Sequence, residues 1–405
     1  MGTDTSTQSA PAPGRRKTGF GTDGRRPGIE RIDGVWHLRT YAAVRQVLRD
    51  AERARQGATT DNVLMRRLRP SVIFQDGEAH REQRTAIARF FAPKTVDRDY
   101  QGVIDELTTR LLGRLQASGR ADVSDLSMEL SVEVAARVVG LTDSRRPGMD
   151  RRIDALLSGS GEVFPDGSPG LLDRLRGLRS VAQGLWRTGS FFMIDVRPAI
   201  AARRAQPRED VISHLLGKGY NPLEILVECL TYATAGMVTT REFIVVAAWH
   251  LLENPELRER YVAADQGDRR RLLHEILRLE PVASTLWRRA EHEVVITDGE
   301  REHRIPAGSR MVLDIRTANA DPAAVGEEPL VVRPGRGLSS GVKPEGVAFG
   351  DGTHKCPGAF LAIHESDVFL HALLALPVRM ESEPVLTFND MIKSYEIRGL
   401  VVRCD

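Results

Sequence analysis

The chain is poor in cysteine, with three in 405 residues, and the three sit far apart at positions 229, 356 and 404. A disulfide framework and a zinc site of the usual paired spacing are both excluded, and a reducing compartment is expected. Cys229 lies in an apolar helical stretch and reads as a small buried hydrophobe; Cys404 is penultimate and has no evident chemical role. Aromatic residues are sparse, at 5%. Net charge is nearly absent, with 57 Lys+Arg against 55 Asp+Glu, so no global attraction to nucleic acid or membrane follows. Basic clusters such as Arg269-Arg270-Arg271 and Arg66-Arg67 read as solvated helix faces. No apolar run approaches membrane-spanning length. Arg15-Arg16-Lys17 is followed by no hydrophobic segment, which rejects an export signal. A soluble, cytoplasmic protein is expected.

What is present suffices for a large core: 41% of residues are hydrophobic. The length would fill two or three average domains, but no Pro/Gly/Ser-rich linker divides the middle. We expect residues 1–28, rich in Thr, Ser, Pro, Gly and Arg, to be a disordered tail, and residues 29–405 to form a single domain. Val35 to Leu38 reads as a strand, and Thr40 caps a helix running to Leu48. Ile104-Leu107-Leu111-Leu115 and Leu126-Leu130-Val134-Val138 carry helical spacing, with Gly119 as the break between them. Residues 171–204 add two helical stretches, with an interruption expected at Thr188-Gly189-Ser190. Pro222 to Glu253 reads as one long helix of ~45 Å that crosses the molecule. After Pro281 the periodicity changes: Val294-Val295-Ile296, the Asp298-Gly299 turn, Arg304-Ile305 and Met311-Val312-Leu313 suggest a small hairpin sheet. The fold class is therefore mainly α with a minor β region.

One segment carries most of the chemistry. Phe349-Gly350-Asp351-Gly352-Thr353-His354-Lys355-Cys356-Pro357-Gly358 sets a cysteine in a glycine-punctuated loop that runs into a helix. Glycines let the backbone turn tightly beside a large flat group. The positive end of the following helix favours a thiolate, and a thiolate so held is a ligand for haem iron, one that promotes O–O cleavage. The alternative is a buried structural cysteine beside a glycine-rich turn. The pattern Phe-Gly-x-Gly-x-His-x-Cys-x-Gly fixes six positions and resembles the haem-binding signature of the cytochrome P450 superfamily. Three further segments follow in that family's order, so the resemblance spans roughly residues 30 to 405. It implies the P450 fold, a long central helix over a haem with small β-sheets.

By this resemblance, Cys356 is the metal ligand to haem b, framed by Phe349, Gly350 and Gly358. Asp76 to Arg84 is similar to the helix that crosses one haem edge, with His80 and Arg84 four residues apart on one face. Arg288, with Arg289 as competitor, and His354 match further propionate partners. Glu275 and Arg278 match the ion pair that braces the haem core, and the arginine that completes it falls to Arg333 or Arg336. Ala235, Gly236, Thr239 and Thr240, midway along the long helix, match the oxygen-activating segment, with Thr239 as the alcohol. A helical threonine turned toward the preceding carbonyl opens a groove. Where the family carries an acid before that threonine, this chain has Val238. Glu242, one turn later, is the sequence-level substitute; water chains, a donor on the substrate, or a reaction needing fewer protons are the other routes left open. The substrate-facing stretches of the family fall on Leu64, Met65, Thr231, Met237, Val238, Val282, Ala283, Ser284, Thr285, Met391 and Ile392, where plain core packing is the competing explanation.

The resemblance implies a soluble bacterial-type monooxygenase that oxidises a small organic molecule, of specialised-metabolite type, with O2 and two electrons. Those electrons would come from a ferredoxin-type donor docking near Lys355, Arg81 and Arg89. Two alternatives stand beside it. One is a haem-thiolate enzyme that couples C–C, C–O or C–N bonds without oxygen insertion. The other is a non-catalytic haem sensor or electron carrier, against which the Ala-Gly…Thr segment argues.

Overall fold

The computed structural model of the protein describes residues 14–19, 26–56, 69–157, 171–299, 301–389 and 393–404. Helices dominate it, and one core cluster runs along the central helix from Ile225 to Leu251 and takes in the helices Gln101–Ser118, Val123–Val139 and Ala359–Ala375. A smaller cluster lies beneath the helix Tyr41–Arg49 and the main sheet. Local chemistry sets the ends. Thr40 accepts from Ala43 N–H to cap its helix, and Gly119, at φ 68°, closes Gln101–Ser118 in the left-handed conformation. Asn221 and Glu224 form a reciprocal capping box at the start of the central helix, with Pro222 just inside it.

That helix is continuous from Pro222 to Glu253 but not uniform: Pro222–Tyr232 and Thr239–Glu253 are α-helical, and Ala233–Val238 between them is a π-helical turn. Such a turn re-aims side chains in mid-helix and is common at functional sites. The break expected at Thr188–Ser190 is absent. The helix Leu171–Phe191 runs through it, and the irregularity comes later, as a π-helical turn at Phe192–Val196. A lone Gly189 costs a helix only ~1 kcal/mol, too little to stop it.

The main sheet has five strands in the order Ile29–Ile32, Val35–Leu38, Arg310–Asp314, Thr285–Ala290 and Ala54–Gln56. Val294–Asp298 and Arg301–Ile305 make the expected hairpin. Arg310–Asp314, however, leaves it to pair in parallel with Val35–Leu38 and antiparallel with Thr285–Ala290. The tail also differs from expectation. Residues 14–19 are docked, with Arg15 bridged to Val331 and Arg16, Lys17 and Thr18 buried. Acids hold it: buried Glu280 accepts from the Lys17 and Thr18 backbones and the Thr18 hydroxyl, and half-buried Glu253 pairs with Lys17. Among the described residues no helix is long and apolar enough to cross a membrane.

Candidate functional site

The cysteine loop is built by backbone constraints. Cys356 N–H donates to the Phe349 carbonyl at 2.8 Å, closing it. Gly350 and Gly352 adopt φ of 70° and 66°, and a Cβ on Gly352 would collide with the Leu48 carbonyl. Asp351 accepts from Gly352 N–H and pairs with Arg45 at 3.0 Å and Lys343 at 2.9 Å. Burial works against its charge, but Lys343, the Gly352 N–H and Arg45 override it and hold the carboxyl down at about 2. Phe349 and Cys356 are half-buried, and Gly358 lies against the Phe91 ring.

The Cys356 thiol departs from expectation. Although part of its surface is accessible, desolvation pushes it above the ordinary thiol value, against the Gly358 N–H, Arg84 and Lys355. The helix end does not hold this thiol below its ordinary value, and a bound cation would lower it.

Four nitrogen-bearing side chains gather beside this loop. His80, buried on the helix Gly77–Ala88, stacks on His354 with ring centroids 4.0 Å apart. His354 Nε2 meets Asp76 at 3.0 Å. Burial, then His354 and Arg84, push the His80 imidazole down to about 4. Arg84 donates to the Lys355 carbonyl. Strand alternation settles the choice between Arg288 and Arg289: Arg288 points inward at 3% exposure and Arg289 outward. Arg288 donates to the Trp287 carbonyl, and burial lowers it to about 10, opposed by Asp76. Arg288, His80 and His354 thus face one carboxylate, Asp76, and Arg84 lies beside them against the loop. A cluster this buried calls for more negative charge, and a planar group bearing two carboxylates fits it.

Phe91, beside Gly358, stacks on Tyr232 of the central helix with ring centroids 6.3 Å apart, and the π-helical turn that follows Tyr232 leaves open space. Ala235 is exposed in mid-helix, and a Cβ on Gly236 would meet nothing within 4 Å. Thr239 and Thr240 donate to the Ala235 and Gly236 carbonyls, each at 2.7 Å. Met237 and Val238 are packed in the main core, with the Met237 carbonyl bonded by Ser131. Thr231 is half-buried and donates to Val227.

Glu242 does not replace the missing acid. It is fully buried and accepts from Arg241 at 2.9 Å, Arg398 at 2.7 Å and Ile397 N–H at 2.9 Å. Its carboxyl is therefore tied to the C-terminal hairpin and turned away from the Thr239 hydroxyl.

Of the substrate-facing residues, Val282 is buried, while Ala283, Ser284 and Thr285 are half-buried. Ser284 holds the Lys393 carbonyl through its hydroxyl at 2.9 Å. Alternation along Thr285–Ala290 puts Leu286 on the face of Arg288 and Thr285 on the face of exposed Trp287, and Leu286, which sequence reasoning did not single out, packs against the smaller core cluster. Leu64, Met65, Met391 and Ile392 lie outside the described residues.

The Glu275–Arg278 pair forms with bonds of 2.7 and 2.9 Å. Its third partner is Arg336, whose Nε reaches Glu275 at 3.0 Å, while Arg333 contributes its backbone N–H. Lys355, Arg81 and Arg89 are exposed or half-exposed at the surface near the loop.

A helical body, a cysteine loop, a central helix opened at mid-length and a cation cluster suited to two carboxylates fit a haem-binding protein. The family model described as cytochrome P450 matches residues 270–376. Cytochrome P450 130 of Mycobacterium tuberculosis (strain ATCC 25618 / H37Rv) is 27% identical over 317 residues, covering 76% of this chain and 71% of that protein. The putative cytochrome P450 YjiB of Bacillus subtilis (strain 168) is 24% identical, over 90% of this chain and 88% of its own. The solved structure of the cytochrome P450 enzyme CYP109B1 from Bacillus subtilis superposes with a TM-score of 0.71 at 23% identity, covering 93% of this chain and 95% of that one. The chain belongs to the cytochrome P450 superfamily. It is a P450-type oxidoreductase, a monooxygenase, whose cofactor is haem b with an axial cysteine thiolate.

Proposed function

We propose that Cys356 is that axial cysteine and that His80, Arg84, Arg288 and His354 hold the haem propionates. Phe349, Gly350 and Gly358 then shape the thiolate side, and Ala235, Gly236, Thr239 and Thr240 line the oxygen side. The observation that carries this reading is Arg288: a guanidinium at 3% exposure, inside a cluster short of negative charge, beside the cysteine loop. Bound there, haem supplies the activation of O2 for insertion into a C–H bond. The chain's own residues do the rest. Asp351, locked by Arg45 and Lys343, fixes the loop; the Glu275–Arg278–Arg336 group braces the segment between them; the Thr239 hydroxyl sits at the opening beside Ala235.

The substrate in this reading is a small organic molecule of specialised metabolism, oriented by Thr231, Val282, Ala283, Ser284 and Leu286. Electrons come from a ferredoxin-type donor whose acidic face meets Lys355, Arg81 and Arg89. The three cysteines are free thiols, which fits a reducing, cytoplasmic setting. The layout is a single catalytic domain over residues 29–405.

Absorption spectra of the dithionite-reduced, CO-treated protein test the reading. A strongly red-shifted Soret band that disappears in Cys356→Ser is the expected result, and a histidine-type band unchanged by the substitution overturns it. Product analysis under ¹⁸O2 then distinguishes oxygen insertion from oxidative coupling, since coupling leaves no label.

A further inference from the structure

The outer face of the main sheet carries a second gathering of cations, on the side away from Leu286 and Arg288. Strand register sets it: His37 lies opposite Val312 and Val312 opposite Trp287, while Asp314 lies opposite Thr285. A cavity of about 410 Å³ opens there, lined by Arg26, Arg39 and Arg316 together with His37, Val312 and Phe388. That volume falls in the range of small-molecule sites. Ser284 forms part of its wall, and the wall is tied shut at that point. Ser284 gives its N–H, at 3.1 Å, and its hydroxyl, at 2.9 Å, to the Lys393 carbonyl of the C-terminal hairpin.

Cations dominate this cavity. Among the described residues that line it, Asp314 is the one acid, and its oxygens accept from the Thr317 N–H at 2.9 Å and the Thr317 hydroxyl at 2.8 Å. Arg39 is 6% exposed, pairs with Glu30 at 2.5 Å and donates to the Pro27 carbonyl at 3.0 Å. That bond, with the Arg39 N–H on the Gly28 carbonyl at 2.8 Å, fixes the chain of exposed Arg26 alongside. Arg316 donates from its side chain to the Thr18 carbonyl at 2.6 Å and from its backbone to the Ser284 carbonyl at 3.3 Å. Three guanidiniums thus stand against two carboxylates, Glu30 and Asp314, both engaged. His37 responds to this field. Burial first, then Arg39 and, more weakly, Arg26 hold its imidazole below the ordinary 6.5, against Glu30 and Asp314, so it is neutral at neutral pH.

We propose that this cavity is a second binding site, for a small organic anion: a carboxylate or phosphate monoester with a compact apolar body. Arg26, Arg39 and Arg316 hold the acid group, as guanidiniums suit both anions. Val312 and Phe388, 39% exposed, receive the apolar part. A negative group placed beside His37 favours the imidazolium, so binding takes up a proton. The bound anion joins three parts of the chain: the N-terminal residues through Arg26, the main sheet through Arg39, and the C-terminal hairpin through Phe388. The site lies on the opposite face of the sheet from Arg288 and does not depend on where haem binds.

Calorimetric titration of the haem-loaded full chain with phenyl phosphate, benzoate and neutral benzamide tests the site. Binding of either anion is expected, with benzamide at least about tenfold weaker, and the preferred anion identifies the acid group. The Soret band should stay where it is, because the ligand sits outside the haem face; a band that shifts in step with binding overturns the proposal. Arg26→Glu, at an exposed position, should weaken the anions at least about tenfold and leave the melting temperature unchanged. Benzoate should bind more tightly as the medium is taken from about pH 8 to about pH 6, and His37→Gln should flatten that dependence. A dependence that survives His37→Gln removes the proton uptake from the proposal. Absence of binding by both anions at about 10 mM, benzamide binding as tightly as benzoate, or Arg26→Glu without effect overturns the site itself.

Discussion

Replacing Glu280 with glutamine should free the N-terminal segment and cost the protein a large part of its stability. Glu280 is fully buried and accepts from Lys17 N–H at 2.5 Å, Thr18 N–H at 3.2 Å, the Thr18 hydroxyl at 2.5 Å and His250 at 2.9 Å. Burial alone would raise its carboxyl, yet His250, Arg16 and the Lys17 N–H outweigh it and hold the group at about 2, against an ordinary 4.5. At ~1.4 kcal/mol per pH unit, a depression of this size is worth on the order of 3 kcal/mol. Because the folded-state value is depressed, that stability is fully present above pH 4.5 and is lost as pH falls toward 2. Glu280→Gln removes the charge and sets an amide donor against the N–H donors of the docked segment. Urea unfolding should show a deficit of ~3 kcal/mol at pH 7 that narrows as the medium is acidified below pH ~4.5. Trypsin should cut after Arg16 or Lys17 in the variant, where the parent buries both residues. A deficit below ~1 kcal/mol at pH 7, with Lys17 still protected, would refute the reasoning.

Arg288→Leu removes a buried cation whose facing acid, Asp76, keeps His354 at 3.0 Å, so the haem-free protein should melt at the same temperature or higher while haem titration shows affinity at least about tenfold weaker. Arg336→Ala should destabilise by ~3 kcal/mol by leaving Glu275 short of a charge, whereas Arg333→Ala, which spares the backbone N–H, should change unfolding by less than ~0.5 kcal/mol. Gly352→Ala meets both a positive φ and the Leu48 carbonyl; a loss of at least ~2 kcal/mol and reduced haem retention on gel filtration are expected. Glu242→Gln should lower the melting temperature and leave the solvent isotope effect on oxygen consumption as it was, since its carboxyl serves Arg241, Arg398 and Ile397.

The parts legible in sequence are those where local chemistry decides. The cysteine loop declares itself because a positive φ at Gly350 and Gly352 and a helix start at Ala359 leave few residue choices. Thr40, Gly119 and Pro222 mark helix ends for the same reason. Several of the misreadings depend on partners distant along the chain. Met311–Leu313 looked like a continuation of the hairpin because its parallel partner, Val35–Leu38, lies far upstream. Arg15–Thr18 looked disordered because Glu253 and Glu280, which neutralise it, are invisible to composition. Glu242 has a suitable distance from Thr239, but Arg398, a C-terminal strand residue, captures it. Choosing Arg336 over Arg333 required knowing which side chain folds back onto Glu275.

Buried charge in this protein is sorted by what completes it. Below the oxygen side, acids and bases satisfy each other within the chain: Glu242 with Arg241 and Arg398, Glu280 with His250 and the docked segment, Glu275 with Arg278 and Arg336. At the cysteine loop the cations exceed their anions, and a ligand with two carboxylates balances them. Neutrality by pairing suits a scaffold, and an uncompensated cation cluster suits a site that must be filled.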